Sequence, residues 1–290
     1  MNKKNYHCLI AGLPDLIPDD KKRYFSSAEL RDYLQDELRP ADFELVKLYY
    51  LPFDHENLLN LLFVDEEFQW DERGNYSRKA FEQLADKKQL ENLNFSMFPP
   101  YFRRFVLLFH DEEVQFTRAG AMKFLTEDWY KFIFGSKNEF VKTFGEYKRN
   151  IVNIMLALNG RKHNIPFEDA IIGNDEIARM LKTNRSRDFG LTDDEFNDIE
   201  NILQLYEIEN LLERELKLDN YTWQFIDEIT FFNYFTIERI LGFVQKLFIA
   251  ERWLELDKEK GQHIFKKLLE ELESNFEFPE EFSITYGKRR

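Results

Sequence analysis

A chain of 290 residues is long enough for one large hydrophobic core or two smaller ones, and 43% hydrophobic with 32% charged residues is typical of a folded globular protein. The formal net charge of −14 argues against nucleic acid or an anionic lipid surface as the main partner, because both require a positive surface. It fits either a basic protein partner or a role in keeping an apolar-rich chain in solution.

The single cysteine, Cys8, excludes an internal disulfide bond and a multi-thiolate metal site. No pattern typical of a secretory signal occurs near the start, because Lys3 and Lys4 precede only a short apolar run. We therefore expect a cytoplasmic protein without a membrane span of its own, so that any membrane association passes through a partner.

The first part of the chain alternates short apolar segments with helix-starting signals. Tyr6–Ala11 is compatible with a strand or with the first turns of a helix that Gly12 ends, and six residues leave both open. Ser26 or Ser27 is a suitable cap for a helix. Pro40 predicts the start of a second helix and Pro52 the start of another, as in an antiparallel bundle of short helices.

Two interruptions divide the rest of the chain, one from Asn92 to Pro100 and one from Arg185 to Gly190. We expect a single helical domain, 1–290, within which the candidate lobes are 1–100, 101–190 and 191–290. Between them, Ser136 opens a long amphipathic segment that Gly160 is placed to end.

The segment Phe231–Trp253 predicts one central core helix. Large apolar residues recur along it at three- and four-residue spacing, the period of one helix face. They are Phe231, Tyr234, Phe235, Leu241, Val244 and Phe248. Charged residues interrupt the segment, which argues against a membrane span. Two of them, Glu238 and Arg239, must be paired or face a groove.

A further amphipathic helix is predicted at Asp257–Glu273, and Thr192 with Glu195 fits a capping box. The whole chain contains about a dozen helical patterns, almost no β signal and no internal repeat. The predicted fold class is all-α, a multi-helix bundle.

Motifs of catalysis are absent from the sequence. Asp188-Phe189-Gly190 spells the metal-binding triplet of kinases, but no Gly-rich phosphate loop or His-Arg-Asp loop accompanies it, so Asp188 is expected to close a turn. The adjacent pairs His55-Glu56 and His110-Asp111 predict solvated surface. We expect neither enzymatic activity nor a bound metal or cofactor.

One local basic cluster precedes the most acidic part of the chain, with Arg179, Lys182, Arg185 and Arg187 as its members. It would either bind an acidic partner or phosphate through charge-assisted hydrogen bonds, or neutralise the acidic segment that follows. The candidate interface or structural residues are Arg185, Arg187, Asp188, Glu238 and Arg239.

Three segments carry a resemblance to a known family: Asn5–Leu16 (NYHCLIAGLPDL), Thr183–Gly190 (TNRSRDFG) and Phe231–Ile240 (FFNYFTIERI), with DKEKGQHIF and PEEF near the end. The chain resembles an uncharacterised bacterial family of domains of unknown function associated with the operons of vacuolar/archaeal-type (V/A-type) rotary ATPases.

The resemblance implies a counterpart of the C-type (or d-type) component of these ATPases, a funnel of stacked helical layers. Such a component is a non-catalytic adapter that links the central stalk to the membrane rotor ring during ATP-coupled ion or proton transport. The implied partners are therefore the stalk and ring subunits, with the chain peripheral to the membrane. The alternative is a helical regulatory or assembly factor that binds a protein partner.

Overall fold

Helices are the regular elements of this structure, a computed structural model that describes residues 5–17, 25–63, 68–192, 196 and 198–255. In chain order they are α1 (His7–Gly12), α2 (Ser27–Glu37), α3 (Pro40–Leu62), α4 (Arg78–Ala85), α5 (Pro100–Phe109), α6 (Arg118–Phe134), α7 (Glu139–His163), α8 (Glu176–Thr183), α9 (Ile199–Tyr206), α10 (Leu211–Thr230) and α11 (Ile237–Glu255). Short 3₁₀ turns lie at Leu90–Asn92, Phe95–Met97 and Glu168–Ala170. No strand occurs in the described ranges, which confirms the all-α, multi-helix prediction.

Polar side chains cap many of the helices where the sequence predicts their starts. Ser26 accepts a hydrogen bond from the backbone N–H of Glu29, and the Glu29 carboxylate accepts one from the N–H of Ser26, a complete capping box. Helix α7 is capped by Asn138, which accepts from Val141 N–H at 3.1 Å, two residues after Ser136, where the sequence predicts the opening. The apolar segment near the amino end, compatible with strand or helix, forms α1.

The predicted helix start at Pro52 is wrong, because α3 continues through this residue from Pro40 to Leu62. Proline lacks an N–H, so the carbonyl four residues earlier, on Leu48, loses its helical partner. Trp129 of α6 supplies a replacement, since its indole Nε1–H donates to the Leu48 carbonyl at 2.8 Å. A contact 81 residues away in sequence thus makes the internal proline tolerable.

The larger of two hydrophobic cores surrounds α3, which packs against α2, α4, α6 and α11. Many of its contacts are aromatic; for example, Tyr50 and Phe53 of α3 meet Phe248 of α11 edge to face. Ile240, Leu241 and Val244 of α11 are fully buried here. The carboxyl part of the predicted central helix is therefore a core helix.

The smaller core lies between the second half of α7, α8, α9 and the start of α10, with Ile154, Leu181 and Ile202 among its buried residues. The long helix α7 reaches both cores, because its first half packs Phe140 and Phe144 into the larger one. The division into three lobes stays a prediction. The predicted helix Asp257–Glu273 and the cap partner Glu195 lie outside the described residues.

Gly160 does not end α7 as predicted, since the helix continues to His163 and closes on Asn164 in the left-handed conformation, with φ of 53°. Gly160 instead allows a close approach. A Cβ atom built on it would lie 2.4 Å from Cδ1 of the Phe167 ring, which no real packing permits. The glycine therefore serves side-chain packing within a helix.

The prediction that His55 is solvated is also wrong. Its ring is buried in the larger core, and Nε2 lies 2.7 Å from the hydroxyl oxygen of Tyr101. Burial lowers the pKa of His55 to about 3, so the imidazole is neutral near pH 7.

Over the described ranges, the structure contains no helix with both the length and the apolar character required to cross a bilayer.

Candidate protein-docking surface

Exposed aromatic rings crowd the connection between α10 and α11, residues 231–236, which we call the aromatic turn. Phe231 and Tyr234 are each 59% exposed, Phe232 is 84% exposed and Phe235 is 41% exposed. The rings of Phe231 and Phe232 pack edge to face, with their centroids 4.9 Å apart. Adjacent exposed apolar residues of this size are typical of interaction sites, and rigid aromatic side chains are frequent anchors of protein interfaces.

The structure contradicts the prediction that Phe231, Tyr234 and Phe235 lie on the buried face of one helix. The chain leaves the helical path at Thr230 and resumes it at Ile237. The Thr230 hydroxyl donates to the Ile226 carbonyl at 2.7 Å, a side-chain bond of the kind that bends and slightly destabilises helices. The aromatic side chains that the periodicity assigns to the core therefore face solvent.

The amino-terminal helix holds the aromatic turn from one side. The backbone N–H of Tyr6 donates to the carbonyl of Phe235 at 2.6 Å, and the His7 ring lies 4.2 Å from the Phe235 ring. Tyr6 is itself fixed, because its hydroxyl donates to the Asp42 carboxylate of α3. Burial, together with this hydrogen bond to Asp42, raises the pKa of Tyr6 to about 12, so the hydroxyl stays a donor.

Glu238, one of the predicted site residues, anchors the other side of the turn. Its carboxylate is buried at the start of α11 and accepts a hydrogen bond from Asn138 Nδ2 at 3.1 Å. It also accepts from the hydroxyl of Thr236, the last residue of the turn. Two donors from different elements thus hold the base of the aromatic turn in one position.

Arg239, the neighbouring predicted residue, points away from Glu238 toward α10. Its Nη1 lies 3.5 Å from Oδ1 of Asp227 and 3.3 Å from Oγ1 of Thr230. Lys246 joins the same carboxylate at 2.6 Å. Arg239 and Lys246 therefore tie α11 back to the end of α10 immediately beside the aromatic turn.

The other three predicted residues lie in the smaller core region, apart from the core that carries the aromatic turn. Arg187 pairs with Glu200 at 3.2 Å and with Glu207 at 2.9 Å, while Arg185 lies 3.5 Å from Glu168. The two Arg187 contacts match the view that the basic cluster neutralises acidic residues of the following segment, whereas Glu168, the partner of Arg185, precedes the cluster in sequence. All of them are exposed, so each contributes little to stability.

Asp188 closes a turn, as its sequence context predicts. Its Oδ1 accepts hydrogen bonds from Ser186 Oγ at 2.7 Å and from Gly190 N–H at 2.8 Å, and these bonds hold the pKa of Asp188 below its usual range. The turn places Phe189 in the core with φ of 58°, where the Arg161 guanidinium lies 3.6 Å above its ring. The segment that spells the kinase triplet is thus a packed structural turn.

Sequence reasoning missed Phe232 as an exposed residue, although a signal was present. Three polar residues with short side chains, Thr230, Asn233 and Thr236, recur every three residues through the aromatic stretch. Such residues bond to nearby backbone and favour turns.

Among the described residues, no group of three or more His, Cys, Asp or Glu side chains is arranged to hold a metal ion.

Comparison with known proteins gives one family. A family model described as "Protein of unknown function (DUF2764)" matches residues 1–276. Neither the curated proteins nor the solved structures contain a match to the chain.

Proposed function

The chain belongs to the DUF2764 family, and from that premise we propose that it is a non-catalytic subunit of a V/A-type rotary ATPase. In this role it is an adapter that links the central stalk to the membrane rotor ring in ATP-coupled ion transport. It is cytoplasmic and reaches the membrane through its partner subunits. The support is the resemblance of three segments, and two of these, Asn5–Leu16 and Phe231–Ile240, meet at one surface.

The observation that carries the proposal is the exposed aromatic turn on a fixed base. Large side chains that already occupy their bound positions lose less conformational entropy on association than flexible ones do. The contacts of Phe235 with α1 and of Glu238 with Asn138 supply that rigidity. An adapter requires such a preorganised contact surface and no reactive group.

Transmission of force between two partners also requires a stiff body. Helix α7 has 25 residues, so it extends for about 37 Å at the usual rise of 1.5 Å per residue. Because it contributes side chains to both cores, the two cores share one continuous element. Close packing in both cores resists relative movement of the two regions.

Co-expression of the tagged full chain with the catalytic, central-stalk and rotor-ring subunits of the ATPase tests the proposal. We expect a stoichiometric complex by native mass spectrometry, which Phe232→Ser combined with Tyr234→Ser disrupts. Leu211→Ser is the matched control, because Leu211 is 61% exposed and lies outside the turn. A wild-type chain that purifies without any ATPase component would refute the proposal, and substoichiometric, transient association would indicate an assembly factor.

A further inference from the structure

A groove of about 960 Å³ opens between α3, the segment before α5 and the end of α6. Its apolar lining comprises Leu45, Leu48, Leu51, Met97, Phe98 and Phe132. Leu51 and Phe98 are buried and form the floor, while Met97 is 47% exposed and Phe132 is 39% exposed. Flexible methionine beside an aromatic ring is typical of surfaces that adapt to an apolar helix face.

Positive charge lies at the edge of this groove, in contrast to the charge of −14 on the whole chain. Lys131 lines it and lies 3.1 Å from Asp128. The same buried carboxylate also pairs with Arg104, so two cations share one anion. Lys47 also lines the groove and is balanced by Glu44 at 3.0 Å. Lys131 and Arg104 together therefore carry one more positive charge than the Asp128 carboxylate that they share.

A hydrogen-bond donor accompanies this charge. Tyr76 lines the groove and carries a phenolic hydroxyl. Burial, with a smaller effect of Asp54 and Glu44, raises the pKa of Tyr76 above its usual value, so the hydroxyl keeps its proton. A carboxylate is the chemical group that both a lysine ammonium and a tyrosine hydroxyl recognise.

We propose that this groove docks an amphipathic helix of a partner protein, with the apolar face on Phe98 and Phe132 and a Glu or Asp side chain beside Lys131. A helix buries only one face, which suits a groove whose edge residues are exposed. Small-molecule sites, by contrast, bury most of the ligand surface. The inference stands on the groove alone and adds a second contact surface to the aromatic turn.

The test uses the full chain and three probes: a helical peptide with leucines on one face flanked by glutamates, the same peptide with lysines in place of the glutamates, and dodecanoate. Binding is measured by isothermal titration calorimetry. We expect the acidic peptide to bind at least about tenfold more tightly than the basic one. Phe132→Ser and Lys131→Glu should each weaken it about tenfold, whereas Lys131→Arg should retain binding.

Circular dichroism on the same samples confirms that these exposed substitutions leave the fold intact. Any one of four results would overturn the inference. They are equal binding of both peptides, an unchanged affinity of Phe132→Ser for the acidic peptide, no binding of either peptide, and binding of dodecanoate alone. If the acidic peptide binds as expected while no ATPase component associates with the wild-type chain, the groove inference holds and the adapter proposal fails. The two can therefore be judged separately.

Discussion

Asn138 and Glu238 are joined by a hydrogen bond of 3.1 Å across 100 residues of sequence. The amide of Asn138 uses both of its ends, because Oδ1 caps α7 through Val141 N–H while Nδ2 donates to the Glu238 carboxylate. One side chain thus fixes the start of α7 relative to the start of α11. The aromatic turn stands directly before this junction.

Replacing Glu238 by alanine should destabilise the protein. The change leaves the donors of Asn138 and Thr236 without this acceptor in a buried setting, which costs about 1–3 kcal/mol. Urea titration of Glu238→Ala should show that loss. Glu228→Ala, at an exposed position of α10, is the control and should lie within about 0.5 kcal/mol of wild type. Equal stability of the two variants would mean that the Asn138 contact is not structurally significant.

Substitutions in the aromatic turn should separate stability from binding. Phe232→Ser removes a side chain that is mostly solvated, so the free energy of unfolding should change by less than about 0.5 kcal/mol. Ile237→Ala, five residues later and buried, should cost about 2–5 kcal/mol. Thermal unfolding of the two variants provides the comparison. A large loss in Phe232→Ser would place this ring in the core and not on a docking surface.

Asp54 and His55 should give opposite dependences of stability on pH. Burial raises the pKa of Asp54 to about 7 and lowers that of His55 to about 3. From about pH 4 to about pH 6.5, native Asp54 keeps a proton that the unfolded chain releases, so its contribution to stability falls as pH rises. Native His55 lacks a proton that the unfolded chain binds, so its contribution rises with pH over the same range.

The two contributions oppose each other in the wild-type chain, and each amounts to roughly 4–5 kcal/mol at most. Relative to wild type, the stability of Asp54→Asn should therefore rise with pH across this window, and that of His55→Gln should fall. Urea unfolding at several pH values measures both differences. If the stability of either variant depends on pH in the same way as that of wild type, the replaced residue has the same pKa in the folded and unfolded states.

Gly160→Ala should be destabilising even though alanine is the better helix former by about 1 kcal/mol. The new methyl group would meet the Phe167 ring at 2.4 Å, and a ring in the smaller core has little room to move. Such overpacking typically costs about 1–3 kcal/mol. Gly12→Ala is the matched control, because a Cβ at Gly12 meets nothing within 4 Å. Thermal unfolding should rank Gly160→Ala below both wild type and Gly12→Ala.

The sequence contains enough local information to predict the fold class and several helix starts. Capping by Ser26 depends on Glu29, three positions away, so a short-range pattern is sufficient, and the Asn138 cap lies within two residues of the predicted Ser136. Local patterns predict the wrong roles for Pro52 and Gly160. The role of Pro52 depends on its packing environment at Trp129, and that of Gly160 depends on the Phe167 ring. A rule based on neighbouring residues cannot include the indole that donates to the Leu48 carbonyl.

The candidate docking surface is predictable only in part. Glu238 and Arg239 stand out in the sequence because charges in an apolar segment require partners, and both lie at the base of the aromatic turn. Periodicity assigns Phe231 and Tyr234 to the core because it detects an apolar face without indicating what covers it. Thr230 and Asn233 have short polar side chains that donate to the backbone carbonyls of Ile226 and Ile229 where the helix ends, a signal that apolar periodicity does not include.

The hydrogen bond from Tyr6 to Phe235 has a practical consequence for labelling experiments. Cys8, the single thiol of the chain, is exposed on α1 only two residues from Tyr6. A maleimide fluorophore would therefore attach at one defined position beside the aromatic rings, with no engineered cysteine. Its emission should change when a partner covers Phe232, so the unmodified sequence already carries a site for a reporter of complex formation.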